Sequence, residues 1–187
     1  HDPITAGGGM RIVPSTTFAD CPQLDILCVP GGAGMNPLLN DEETLAFIRR
    51  QAPGAKYVTS GCTGSLVLGA AGLLTGKRAT THWMSHEMLA EFGAIPVQER
   101  VVRDVNIFTG GGVTAGIDFA LTLAAEMLGD AAARKIQLGI EYDPAPPFAA
   151  GSPASADPTL VESVRQASHA RQSERLADVR RAAAKLT

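Results

Sequence analysis

At 187 residues, 45% hydrophobic and 19% charged, the chain has the size and balance of a globular domain able to bury a sizeable core. A net charge of -3 offers no basic face for nucleic acid and no polybasic anchor for a membrane surface. No apolar run approaches the roughly 20 residues that a membrane span requires, and three cysteines without a C-x-x-C pair argue against a disulfide framework or a zinc site and suit a reducing, cytoplasmic setting.

The chain opens on His1-Asp2-Pro3, with neither an initiator methionine nor a signal-peptide pattern, as a sequence entered partway through would. Gly7-Gly8-Gly9 followed by Ile12 and Val13 predicts a hairpin-like edge segment. Cys21, beside Pro22, reads as incidental. Leu24 to Val29 is a near-continuous apolar run, expected of a strand covered on both faces, with Cys28 as a small core residue. It runs into Pro30-Gly31-Gly32-Ala33-Gly34, where glycines allow backbone to approach a ligand or another loop; a plain tight turn reads equally from the residues.

Asn40 or Asp41 caps a helix to Gln51, which Pro53-Gly54 ends. A strand over residues 56–60 leads without pause through Gly61-Cys62-Thr63 into a helix over Gly64–Ala71. A strand turning sharply into a helix strains the residue at the turn and lifts its side chain above the sheet. The amides of the first helical turn favour thiolate over thiol, so Cys62 is expected to be more acidic than a free cysteine, and nucleophilic.

Arg78-Ala79-Thr80-Thr81 predicts a short strand, and His82-Trp83-Met84-Ser85-His86 opens a helix reaching Phe92. Two strands, over 97–103 and 106–109, flank a turn at Asp104-Val105 where glycine would suit better than valine. Gly110-Gly111-Gly112 precedes a helix over Ile117–Leu128, with Asp118 in its first turn and Gly129 at its C-cap. Residues 131–141 continue helically until the prolines at 144, 146 and 147.

The division expected is a domain over 1–150, then a linker and terminal helix over 151–187 that packs on the domain or on a dimer partner. Asp157-Pro158 starts that helix. Leu160, Val164, Ala167, Leu176, Val179, Ala183 and Leu186 would form its packed face, and its arginine-rich opposite face is expected in solvent. Strands alternating with helices, several ending in glycine, argue for a doubly wound α/β domain with a parallel sheet. Sites in such sheets lie at the carboxyl ends of the strands, where the Gly31, Cys62 and Gly110 turns and His82 would converge.

Pro30–Gly34, Ser60-Gly61-Cys62-Thr63-Gly64-Ser65, Ala79-Thr80-Thr81-His82-Trp83 and Thr109–Asp118 occur in that order and together resemble the DJ-1/PfpI superfamily. The likeness covers about residues 7 to 148 and implies a flavodoxin-like, class I glutamine-amidotransferase-like fold. Within it, Cys62-Thr63-Gly64-Ser65, the run from Thr109 to Leu121 and the tail Glu141–Phe148 resemble the bacterial isocyanide hydratases. The resemblance implies a lyase in which Cys62 attacks the isocyanide carbon, forms a covalent thioimidate, and releases an N-substituted formamide after water adds. It implies backbone donors at Gly31, Gly32 and Thr63 for developing negative charge, a catalytic role for the Thr63 hydroxyl, a pocket of His82, Trp83, Gly111 and Val113, and no cofactor; the homodimer is expected from the terminal helix, which extends beyond the compact body.

Two site questions stay open at the level of sequence. Thr63 reads equally as a first-turn helix residue, and His82 as a general base or as packing. His82 and His86 lie four apart but lack an evident third ligand, so no metal is expected. The superfamily also places an acid after its first strand, against the nucleophilic sulfur. That strand would precede residue 1, and Asp2, Asp20 and Asp25 do not stand in the matching context, so the amino-terminal strand and its acid are expected to be missing from this sequence. The same stretches resemble the amino-terminal domain of AraC-type regulators, which implies a ligand sensor. Glyoxalase or deglycase, amidase and redox-sensing activities share the same elbow.

Overall fold

The structure, a computed structural model, describes residues 2–186. An antiparallel hairpin of β1 (Ile4–Thr5) and β2 (Arg11–Ile12) comes first, as the triple glycine predicts. The main sheet has four strands in the order β3-β4-β8-β7, with β3 at Ile26–Val29, β4 at Tyr57–Gly61, β7 at Val101–Asp104 and β8 at Ile107–Gly110. β3–β4 and β4–β8 are parallel and β7–β8 antiparallel, so the expected parallel sheet carries one antiparallel edge strand. β5 (Arg78–Ala79) and β6 (Ile95–Pro96) form a separate parallel pair.

Asp41 caps α1 (Glu42–Gln51), its carboxylate accepting from the Thr44 amide at 3.0 Å. α2 is Gly64–Ala70, and the segment predicted to be an α-helix after His82 is a 3₁₀ helix, Trp83–Phe92. α3 (Ala115–Leu128) and α4 (Asp130–Gly139) follow the sheet and pack on each other. α5 spans Pro158–Ala183, capped by Asp157, and packs on the Trp83–Phe92 segment, on Pro37–Asn40 and on α2. Among the described residues, no helix is long and apolar enough to cross a membrane.

The core gathers Leu27 and Val29 from β3, Val58 from β4, Leu66 and Leu68 from α2, and Val179 of α5. Two expectations are corrected, those for Cys28 and for the face of α5, while the turn at Val105 is the glycine-like position expected. Cys28 is exposed, because β3 alternates: Leu27 and Val29 face the core while Cys28 points to the face left open among the described residues. Val105 occupies the β7–β8 turn at φ 56°, so a β-branched residue takes the left-handed geometry that favours glycine. On α5, Leu160 and Val164 are exposed, Leu176 and Ala183 pack on the core as expected, and the buried stripe is Ser168, Arg175, Val179 and Ala182, of which only Val179 was expected. These lie 7, 4 and 3 residues apart, one helical face, so an arginine expected in solvent is inside.

Candidate active site

Cys62 stands between the end of β4 and the start of α2 at φ 52°. A non-glycine residue held there carries strain of about 1–3 kcal/mol that its surroundings must impose. Both ends of the residue are tied. Its amide donates to the Gly110 carbonyl at 3.0 Å, and its carbonyl accepts from Thr81 Oγ1 at 2.9 Å and Ser65 Oγ at 3.3 Å. The residue is half-buried, and its sulfur has no hydrogen-bond partner among the described residues.

The Gly31 turn closes on this elbow from the end of β3. A Cβ on Gly31 would lie 2.5 Å from the Thr63 amide nitrogen and 2.8 Å from Cys62 Cβ, so no side chain fits. Next to it, the Gly32 amide donates to Thr63 Oγ1 at 3.1 Å, and Thr63 is buried. Of the backbone donors expected for negative charge, Gly32 is therefore engaged by the Thr63 hydroxyl, which pins the loop to the elbow. Gly64 makes the matching approach from α2: a Cβ there would lie 2.1 Å from the Val29 carbonyl oxygen.

His82 precedes the 3₁₀ segment, and its Nδ1 accepts from the Met84 amide at 3.4 Å. No hydrogen bond joins it to Cys62 among the described residues. Burial, then the charges of Arg175 and Arg171, lower the imidazole's pKa from its ordinary value. Its ring lies 6.0 Å from that of Trp83, and a Cβ on Gly112 would be 3.6 Å from it. The Arg165 guanidinium of α5 covers the Trp83 ring at 5.7 Å. Gly111 is buried, its amide donating to the Arg100 carbonyl at 2.8 Å. Val113 is 84% exposed, so it forms no closed apolar wall by itself.

The structure thus brings together Cys62, Thr63, Gly31 and Gly32 at one sheet end, with His82 near the Gly112 turn. Among the described residues, no group of His, Cys, Asp and Glu could hold a metal ion. Sequence reasoning missed Thr81, which holds the Cys62 carbonyl, and Arg175, which donates from the buried face of α5 to Asn36 Oδ1 and Ser85 Oγ. The signal for Arg175 was its spacing: four residues before Val179, it shares that residue's face.

Comparison with known proteins places this geometry. The DJ-1/PfpI family profile matches residues 1–126. An isonitrile hydratase of Pseudomonas putida is 60% identical over 184 residues, covering 98% of this chain and 81% of that protein. The HTH-type transcriptional regulator GbdR of Pseudomonas aeruginosa is 32% identical over 122 residues, 64% of this chain and 33% of the regulator. The crystal structure of a ThiJ/PfpI family protein from Pseudomonas syringae superposes with a TM-score of 0.91 at 46% identity, covering 95% of this chain and 74% of that one.

Proposed function

The chain belongs to the DJ-1/PfpI family, and from that premise we propose that it is a lyase hydrating isocyanides to N-substituted formamides with Cys62 as nucleophile. The observation that carries the reaction is the 60% identity, over 98% of the chain, with a protein named isonitrile hydratase. The elbow supports the chemistry. Cys62 is presented at a strand end on a strained backbone, partly open to solvent, with no histidine bonded to it. An isocyanide carbon accepts a thiolate without a general base on the nucleophile, which suits that arrangement.

In this reading the Cys62 sulfur bonds to the terminal carbon, which takes up a proton to give the thioimidate R–N=CH–S. Water then adds across the C=N bond. Collapse of the adduct breaks the C–S bond, returns the thiolate, gives up the hydroxyl proton in place of the one taken up earlier, and releases R–NH–CHO. Thr63 fixes the Gly31–Gly32 loop, and in this reading its hydroxyl bonds a water or the adduct. The Gly31 and Thr63 amides are the remaining backbone donors for developing charge. His82, held below its ordinary pKa, with Trp83, Gly111 and Val113 surrounds the substituent. We further take the protein to act as a homodimer without a cofactor, in the cytoplasm, with neither nucleic acid nor membrane as partner; the net charge of -3 supports the last point.

The test incubates the protein with an aryl isocyanide and measures formamide by absorbance, with Cys62→Ala beside it. The parent is expected to turn over and the variant to lose at least about a thousandfold, as removal of a nucleophile does. Equal rates would overturn the nucleophile assignment. Cys62-dependent loss of methylglyoxal without isocyanide turnover would point to glyoxalase chemistry instead, and ligand binding without turnover to a sensor.

A further inference from the structure

The hydrogen bonds that hold the two sides of Cys62 come from segments that are bonded to each other. Thr81, which donates to the Cys62 carbonyl at 2.9 Å, follows Thr80, and the Thr80 amide donates to Thr109 Oγ1 at 2.8 Å. Thr109 in turn precedes Gly110, whose carbonyl accepts from the Cys62 amide at 3.0 Å. The path closes on itself, from the Cys62 carbonyl through Thr81, Thr80, Thr109 and Gly110 back to the Cys62 amide. All three threonines are interior, none more than 3% exposed.

Each link of this circuit is made where water does not compete, so each satisfies a buried group that would otherwise stand bare. Thr109 is fixed on both sides within the sheet. Its backbone is in register with Ser60 of β4, and its hydroxyl donates to the Val102 carbonyl of β7 at 3.5 Å. A β-branched side chain has few χ1 settings, so threonine aims a hydroxyl more narrowly than serine does. Ser60 Oγ is as deeply buried, two residues before Cys62, but has no partner among the described residues and forms no link of the circuit.

We propose that Thr81 and Thr109 are positioning residues for the nucleophile: their hydroxyls close the circuit that imposes the left-handed backbone on Cys62 and so set its reactivity. Neither hydroxyl bonds the sulfur; both act through the Cys62 peptide. The segment that carries Thr81 continues into His82 and Trp83, so the circuit also ties the nucleophile to side chains proposed to surround the substituent. The inference rests on Cys62 being the nucleophile and not on the identity of the substrate.

The experiment compares Thr81→Val, Thr81→Ser and Ser60→Ala with the parent, all as the full chain. It follows iodoacetamide alkylation of the Cys62 peptide by mass spectrometry at neutral pH, steady-state hydration of an aryl isocyanide, and the urea midpoint. Valine keeps the shape and removes the hydroxyl. Thr81→Val is expected to slow alkylation and to lower kcat roughly tenfold each, the scale of one hydrogen bond, with KM little changed. Thr81→Ser is expected to recover most of both rates, and Ser60→Ala, which removes a buried hydroxyl outside the circuit, to match the parent. A threonine with only a structural role would lower the urea midpoint and leave both rates of the folded protein unchanged, or would loosen the elbow and speed alkylation. Either result overturns the proposal, as does a Ser variant as slow as the Val variant. Should Thr81→Val fail to fold, the circuit is opened at its other hydroxyl, with Thr109→Val read against Thr109→Ser by the same criteria. Hydrogen exchange of the parent adds a reading that needs no variant: a Cys62 amide exchanging as fast as an exposed one overturns the circuit. Alkylation needs no isocyanide, and Cys62→Ala reports on the nucleophile separately, so failure of the function and failure of the circuit are told apart.

Discussion

Cys62 is held from both sides of its peptide. Gly110 fixes the amide, Thr81 and Ser65 fix the carbonyl, and the left-handed φ of 52° follows. That is why the residue at the turn can be a cysteine although the geometry favours glycine. His82 shows the converse at residue scale, a group whose chemistry its setting restrains. Burial first, then Arg175 and Arg171, hold its pKa below the ordinary 6.5. The unfolded chain then takes up a proton that the folded one refuses, so stability is lost as pH falls below 6.5 towards the folded value and is unaffected well above it. His82→Gln should therefore flatten the fall of the melting midpoint between neutral and mildly acidic pH. A variant that falls as steeply as the parent would acquit His82 of that pH dependence.

At the scale of elements, the strand–elbow–helix unit was legible from the apolar, β-branched run of Tyr57–Ser60, the small residues around Cys62 and the apolar run from Leu66. These are local patterns, and local patterns survive folding. What holds the unit to its neighbour is a contact between backbones, which periodicity does not report. Gly64 is the clearest case, since any Cβ would stand 2.1 Å from the Val29 carbonyl oxygen. Gly64→Ala is expected to push α2 off the end of β3 and cost about 1–3 kcal/mol, as overpacking of a tight contact does. Urea denaturation of the full chain reads this directly, and an unmoved midpoint would show that α2 gives way freely. The 3₁₀ form of Trp83–Phe92 was less legible, because its apolar residues suit either helix.

Over the whole molecule, exposed apolar side chains concentrate late in the chain. Ile117 and Leu128 of α3, Ile136 and Leu138 of α4, and Ile140 beyond it are 42–83% exposed. Exposed apolar side chains of this kind suit an interaction surface, and they support the proposed homodimer. Light scattering of the protein should return twice the 19.4 kDa of one chain, with Leu138→Arg shifting the mass toward a single chain. A single-chain mass for the parent would overturn the dimer.

The sequence alone determined the elbow and the family: a cysteine at a strand-to-helix turn, glycines at neighbouring strand ends and the family they resemble, all set by the order of a few adjacent residues. Only the tertiary structure decided which faces are covered. Cys28 lies on the open side of β3, the Gly32 amide turns to Thr63, and α5 buries Arg175 while leaving Leu160 in solvent. Burial is a property of what packs against a residue from far along the chain, and an arginine reads as a surface group until the neutral acceptors that receive it, 90 to 139 residues away at Ser85 and Asn36, are brought to its side.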